Sequence, residues 1–152
     1  MAKKLILREV QPGDLDAFFA LQQDPEASRM AAFTTEDPAD RAVFDAKWRK
    51  TFADPGITMR TILFEGRVAG NVMCHGWFGD PEIAYWIDRE FWGRGIATAA
   101  LTRFLPQVAR RPLYAHTAHD NFASIRVLEK CGFVKIGETK GSPGPGAARS
   151  QR

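Results

Sequence analysis

The run from Tyr85 to Leu101, Tyr-Trp-Ile-Asp-Arg-Glu-Phe-Trp-Gly-Arg-Gly-Ile-Ala-Thr-Ala-Ala-Leu, reads as a strand, a glycine turn and the start of a helix. Gly93 and Gly95 remove two Cβ atoms where the backbone must turn sharply and a ligand could approach. The first turn of the following helix leaves its amides without intrahelical partners, and the helix dipole adds about half a positive charge there. Residues 92 to 98 are therefore expected to hold an anion, a pyrophosphate before others. A bare G-x-G fits a plain strand-to-helix turn as well, and the residues alone leave both readings open. Two other glycine loops fit less well. A dinucleotide fingerprint would need a small residue where Thr98 stands, and no Gly-Lys-Ser/Thr follows to make a nucleotide-triphosphate loop.

Other chemistry-bearing side chains are sparse. His75, His116 and His119 are not paired by spacing with a second ligand or a nucleophile, and the last two read as a strand end and a loop. Cys74 and Cys131 match no metal-ligand or redox spacing, so no metal is expected and both read as reduced core thiols of a cytoplasmic protein.

The elements that must position the glycine turn alternate between strand and helix. A strand with Leu5, Leu7 and Val10 breaks at Pro12-Gly13, and Asp14 caps a helix with Leu15, Phe18, Phe19 and Leu21 at helical spacing. Asp37-Pro38 is expected to start a second helix, with Phe44, Trp48 and Phe52 along one face. Strands are expected over Ile57 to Phe64 and Val68 to Phe78, joined by a turn at Glu65-Gly66, and then over Glu82 to Ile87 after a turn at Gly79-Asp80-Pro81. The helix after Gly95 contains Pro106, which predicts a kink or an early end. Leu113 to Thr117 reads as a strand, Asn121 as the cap of a helix closed by Gly132, and Phe133 to Gly137 as another strand. Residues 141 to 152, rich in glycine and proline, read as a disordered tail.

The chain of 152 residues is long enough for one domain with a real core. Its formal charge of +3 includes Arg149 and Arg152 of the tail, which leaves no basic footprint for nucleic acid. No segment is long and apolar enough to span a membrane, and the amino terminus lacks the apolar run of a signal peptide.

Element order and two motifs together resemble the GCN5-related N-acetyltransferase (GNAT) superfamily, most closely its RimJ/RimL-type branch. The family's pyrophosphate loop, Q/R-x-x-G-x-G/A, matches Trp92-Gly93-Arg94-Gly95-Ile96-Ala97, with an aromatic followed by Trp-Gly-x-Gly as in that branch. The second motif, N-x-x-S-x-x-x-L-E-K-x-G-F, matches Asn121, Ser124, Leu128, Glu129, Lys130, Gly132 and Phe133. The resemblance covers residues 3 to 138. It implies an α/β (α+β) fold with a mixed, mostly antiparallel sheet, a splayed parallel strand pair and helices on both faces. The implied activity is acetyl transfer from acetyl-CoA to a primary amine, on a protein N-terminus or a small molecule.

By the same resemblance, Tyr85, Trp86 and Ile87 offer main-chain groups to pantetheine. The amides of Gly93 to Thr98 hold the diphosphate, with Arg94 adding a charge, and Asn121 contacts pantetheine. Glu82 falls where a carboxylate base sits in many relatives, although it also fits a solvated turn residue beside Asp80. Many relatives carry an acidic Tyr where this chain has Leu128, so Ser124 is the substitute acid, with helix capping as its plainer role. Trp77 and Phe33 are candidates for the acceptor cleft. Arg126 and Lys130 fall where a terminal phosphate could pass.

One departure stands out. Relatives usually finish with a further strand, and here only the tail stands in its place. A single domain over 1–140 is therefore expected to lack that strand. Its open edge would invite pairing in a homodimer, or the chain would serve as an acyl-CoA-binding sensor or partner module with impaired turnover.

Overall fold

The computed structural model describes residues 4–25, 39–77, 79–118, 121–139 and 147–151. Seven strands form one sheet in the order β1-β2-β3-β4-β5-β7-β6. They are β1 (Leu5–Arg8), β2 (Thr58–Phe64), β3 (Arg67–His75), β4 (Glu82–Ile87), β5 (Tyr114–Ala118), β6 (Val134–Thr139) and β7 (Ala147–Gln151). Every neighbouring pair is antiparallel except β4 and β5, which run parallel. The helices among the described residues are α1 (Leu15–Gln22), α2 (Arg41–Ala53), α3 (Ile96–Phe104) and α4 (Phe122–Lys130). The mixed sheet with its parallel pair and flanking helices is the architecture expected.

Strand alternation sorts the core into two layers. On one face Ile62, Val72, Ile83 and Ala115 pack with Ile96, Leu101 and Phe104 of α3 and Leu128 of α4. On the other, Met73 with half-buried Ala84 and Trp86 packs against Phe18 and Leu21 of α1 and Phe44 and Trp48 of α2. An Arg8–Asp14–Thr61 cluster seats α1: Arg8 donates to both Asp14 carboxylate oxygens at 2.7 and 2.8 Å, and the Thr61 hydroxyl donates at 2.7 Å. β3 and β4 lie so close that a Cβ on Gly70 would stand 1.9 Å from the Trp86 carbonyl oxygen, which fixes glycine there.

The feature that matters most for function is a fork. β4 and β5 pair only at Glu82 with Tyr114 and Ile83 with Ala115, and beyond those residues they part.

Two expectations, the missing last strand and the start of the second helix, are corrected, and a third, the early end at Pro106, is met. The last strand is present: β7 lies between β5 and β6 and pairs with both. Composition averaged over residues 141 to 152 hid Ala147-Ala148-Arg149-Ser150-Gln151, a stretch with neither glycine nor proline. Its backbone can fill a sheet edge whatever its side chains, and with β7 in place the argument for a partner-supplied strand falls away. α2 starts at Arg41, where the Asp40 carboxylate accepts the Val43 amide at 3.1 Å; Asp37 and Pro38 lie outside the described residues. Pro106 ends α3 at Phe104 and carries a single 3-10 turn, Leu105–Gln107, as the missing amide requires.

Candidate active site

After β4 the Asp88 carboxylate accepts the Glu90 amide at 3.0 Å and sets a short 3-10 turn, Arg89–Phe91. Gly93 and Gly95 then adopt φ of 78° and 73°, in the left-handed region that other residues enter at a cost. Gly95 is the residue before α3, and it brings no capping side chain. The first helical bond runs from the Ala99 amide to the Gly95 carbonyl at 3.0 Å. The amides of Ile96, Ala97 and Thr98 precede that bond and have no acceptor within the helix. The Trp92 indole N–H donates to the Ile87 carbonyl at 2.8 Å, clipping the loop to the end of β4. Loop, helix start and strand thus form one corner suited to a diphosphate.

Arg94 is placed differently from the expectation. Its guanidinium lies over the Phe91 ring, 5.7 Å from the centre. It lines a smaller cavity with Leu5, Phe64, Gly95, Ile96 and Arg103 and not the main one. Arg126 and Lys130 of α4 border the main cavity instead.

That main cavity, about 910 Å³, runs from the glycine corner through the fork to the space beneath α1 and α2. On its α4 side the Tyr85 hydroxyl and the Ser124 hydroxyl share a hydrogen bond of 2.5 Å. Asn121 is the cap of α4, its side-chain oxygen accepting the Ser124 amide at 3.1 Å. The Ser124 hydroxyl is therefore engaged with Tyr85 and not with the cap. Burial, opposed by the Ser124 bond, pushes the Tyr85 phenol up to about 12, so it keeps its proton at neutral pH. Leu128, one turn further on, is buried apolar core. Sequence reasoning used only the main chain of Tyr85, although alternation along β4 puts its side chain on the α4 face with Ile83 and Ile87.

The other end of the cavity is built by side chains. Glu82 is 3 % exposed, which overturns the solvated-turn reading. His116 Nδ1 lies 3.2 Å from Glu82 Oε2. His75, 1 % exposed, faces Glu82 across the β3–β4 register. Trp77 stacks on the His75 ring with centres 4.1 Å apart, and Lys47 Nζ stands 5.8 Å from the Trp77 ring centre. Burial pulls His75 down; Glu82 opposes that shift, and Lys47 and His116 add to it. Burial also lowers Lys47.

His75, His116, Trp77 and Lys47 are among the described residues lining the cavity, and Glu82 is not. Trp77 lines the cavity, whereas Phe33 and His119 lie outside the described residues. His75 and His116, set aside on spacing, stand beside Glu82. A symmetric turn over Gly79 to Pro81 would set residue 78 opposite residue 82, so the expected turn did not announce the His75–Glu82 pairing that the register shows. No local signal exists for His116 either. Among the described residues no group of three His, Cys, Asp or Glu side chains is arranged to hold a metal ion, and no helix is long and apolar enough to cross a membrane.

Fork, uncapped helix start and flanking helix pairs define an acyl-CoA N-acyltransferase fold. Residues 4–134 match the family model for the acetyltransferase (GNAT) domain. The chain belongs to the GNAT acetyltransferase family and is an N-acetyltransferase by class. It is 26 % identical over 148 residues to the Bacillus subtilis protein named "Putative ribosomal N-acetyltransferase YdaF", covering 90 % of this chain and 81 % of the relative. Two solved structures share the fold. One is a Vibrio cholerae spermidine N-acetyltransferase in complex with CoA and spermine, with TM-score 0.76, 20 % identity and coverage of 97 % and 92 % of the two chains. The other is RimL, a ribosomal alpha-N-protein acetyltransferase, in complex with coenzyme A, with TM-score 0.76, 18 % identity and coverage of 99 % and 94 %.

Proposed function

We propose that the protein transfers acetyl from acetyl-CoA to a primary amine by direct attack of the amine on the thioester. The observation that carries this reading is a single cavity joining an uncapped helix start to parted strands. The two CoA-bound relatives and the ribosomal N-acetyltransferase likeness support it, and the latter favours the RimJ/RimL-type branch. Acetyl-CoA supplies the activated acyl group when bound. The amides of Gly93 to Thr98 hold its diphosphate, with Asn121 beside the arm and Arg126 and Lys130 supplying positive charge along the same wall. Beyond Ile83, β4 no longer pairs with β5. There the main chain of Tyr85, Trp86 and Ile87 receives the pantetheine arm, and a backbone amide polarises the carbonyl as charge develops.

On the α4 side the Tyr85–Ser124 pair returns a proton to the departing thiolate, since the phenol stays protonated at neutral pH. On the acceptor side Glu82 belongs to the base that takes the amine proton. The acceptor is an amine on a protein N-terminus or a small molecule. Free, buried Cys74 and Cys131 fit a reducing compartment such as the cytoplasm. The sensor reading loses its motive now that β7 completes the sheet.

The test is thiol release from acetyl-CoA against amino-terminal peptides, polyamines and small amines, with the acetylated product confirmed by mass spectrometry. Release with one class of amine is expected. Tight CoA binding with no release across the whole panel would favour the binding-module alternative.

A further inference from the structure

We infer that His116 takes the proton from the acceptor amine and that Glu82 is its positioning residue. The inference rests on the acetyl-transfer reading and deepens it. Three observations carry it. His116 borders the cavity and Glu82 does not, so the carboxylate has no direct path to an amine lying there. Their side chains are 7 % and 3 % exposed and 3.2 Å apart, a buried pair and not a surface contact. And His116 is the first residue of β5 beyond the last paired position, Ala115 with Ile83, which puts it at the mouth of the fork.

A buried carboxylate at Nδ1 selects the tautomer with its proton on that nitrogen, leaving the basic lone pair on Nε2. The same carboxylate stabilises the imidazolium formed when Nε2 accepts a proton. Other charged or titratable groups face the pair from the surrounding elements. These are His75 of β3, Lys47 of α2 facing His75, and Tyr114 of β5 itself; on β7 the backbone register partner of His116 is Arg149. Burial keeps His75 toward its neutral form, so it leaves the Glu82 charge to His116.

The protons balance as follows. The acceptor arrives as an ammonium and loses one proton through His116 to solvent. The amine lone pair forms the C–N bond while the C–S bond breaks. His116 Nε2 takes the second amine proton, and the thiolate receives one from the Tyr85–Ser124 pair, which is refilled from solvent. His116 then discharges, and one proton is released per turnover.

The experiment compares His116→Ala, His116→Gln and Glu82→Gln in the full chain, with folding checked by thermal melts and CoA affinity by titration. For both His116 variants kcat/KM is expected to fall by roughly a hundredfold or more, with the CoA Kd within twofold and the rise of rate with pH flattened. Added imidazole should restore part of the His116→Ala activity. Glu82→Gln should lose less than either His116 variant and keep the rising limb, because the imidazole remains in place. Near-wild-type turnover in the His116 variants, or disappearance of the limb in Glu82→Gln alone, would overturn this assignment and leave acetyl transfer standing. Absence of turnover in the wild-type protein with every amine would overturn both.

Discussion

The two ends of the cavity are made of different material. The end proposed for the coenzyme is backbone: left-handed Gly93 and Gly95, the leading amides of α3 and the stretch of β4 that does not pair with β5. The end proposed for the acceptor is side chain: Glu82, His116, His75, Trp77 and Lys47, drawn from three strands, a helix and a turn. A backbone site needs only a local conformation, which two glycines and a helix start can encode. A side-chain site needs the register of several elements at once. Binding of the diphosphate should therefore tolerate wide side-chain change, while turnover depends on a few particular groups.

After the His116 variants, the largest effect expected from a substitution in the proposed machinery that leaves coenzyme binding alone is at Glu82. Glu82→Gln should lower kcat by roughly ten- to a hundredfold, with the CoA Kd unchanged by calorimetric titration. A matching loss of CoA affinity would break the division between the two ends. Next comes the reciprocal change. A Cβ on Gly95 meets no protein atom within 4 Å, so Gly95→Ala disturbs mainly the φ of 73° and the approach of the ligand. It should weaken CoA binding by about tenfold and cost about 1 kcal/mol of stability in a denaturant melt.

Smaller effects sharpen the comparison at the middle of the cavity. Tyr85→Phe and Ser124→Ala should each cost roughly tenfold in kcat, and the double variant little more than either, because the two hydroxyls share one bond. Additive losses would show that they act separately.

The smallest effect on the site comes from Asp14, which seats α1 over the acceptor end. Burial pushes its carboxyl up, but the bonds from Arg8, the Gln11 amide and Thr61 outweigh that and hold it below the ordinary carboxylate range. A depressed folded value means the stabilisation is present above the unfolded value and fades as pH falls through the folded one. Asp14→Asn should therefore cost about 2 kcal/mol at neutral pH and less in acid. The amine KM should rise a few-fold while the CoA Kd holds.

How much was legible in the sequence follows the same division. Gly93-Arg94-Gly95 before an apolar helix announced the left-handed turn and the uncapped helix start because the conformation is local, and the Asn121 cap and the Pro106 stop were legible for the same reason. Glu82 was found by resemblance, but its burial was not foreseen. His116 escaped because its contact with Glu82 crosses from β4 to β5, a parallel pair whose register no turn specifies. Tyr85 with Ser124 escaped likewise, their partners lying 39 residues apart on a strand and a helix. β7 escaped because its pairing is a property of two waiting strand edges and not of its own composition.

The most direct test of the whole account is a titration of isotope-labelled protein with coenzyme A, followed through the backbone amides of Ile96, Ala97 and Thr98. The account predicts that these three shift together, saturate at one coenzyme per chain, and do so equally in Glu82→Gln. Amides 96 to 98 left unmoved while coenzyme A binds elsewhere, or is not bound at all, would contradict it.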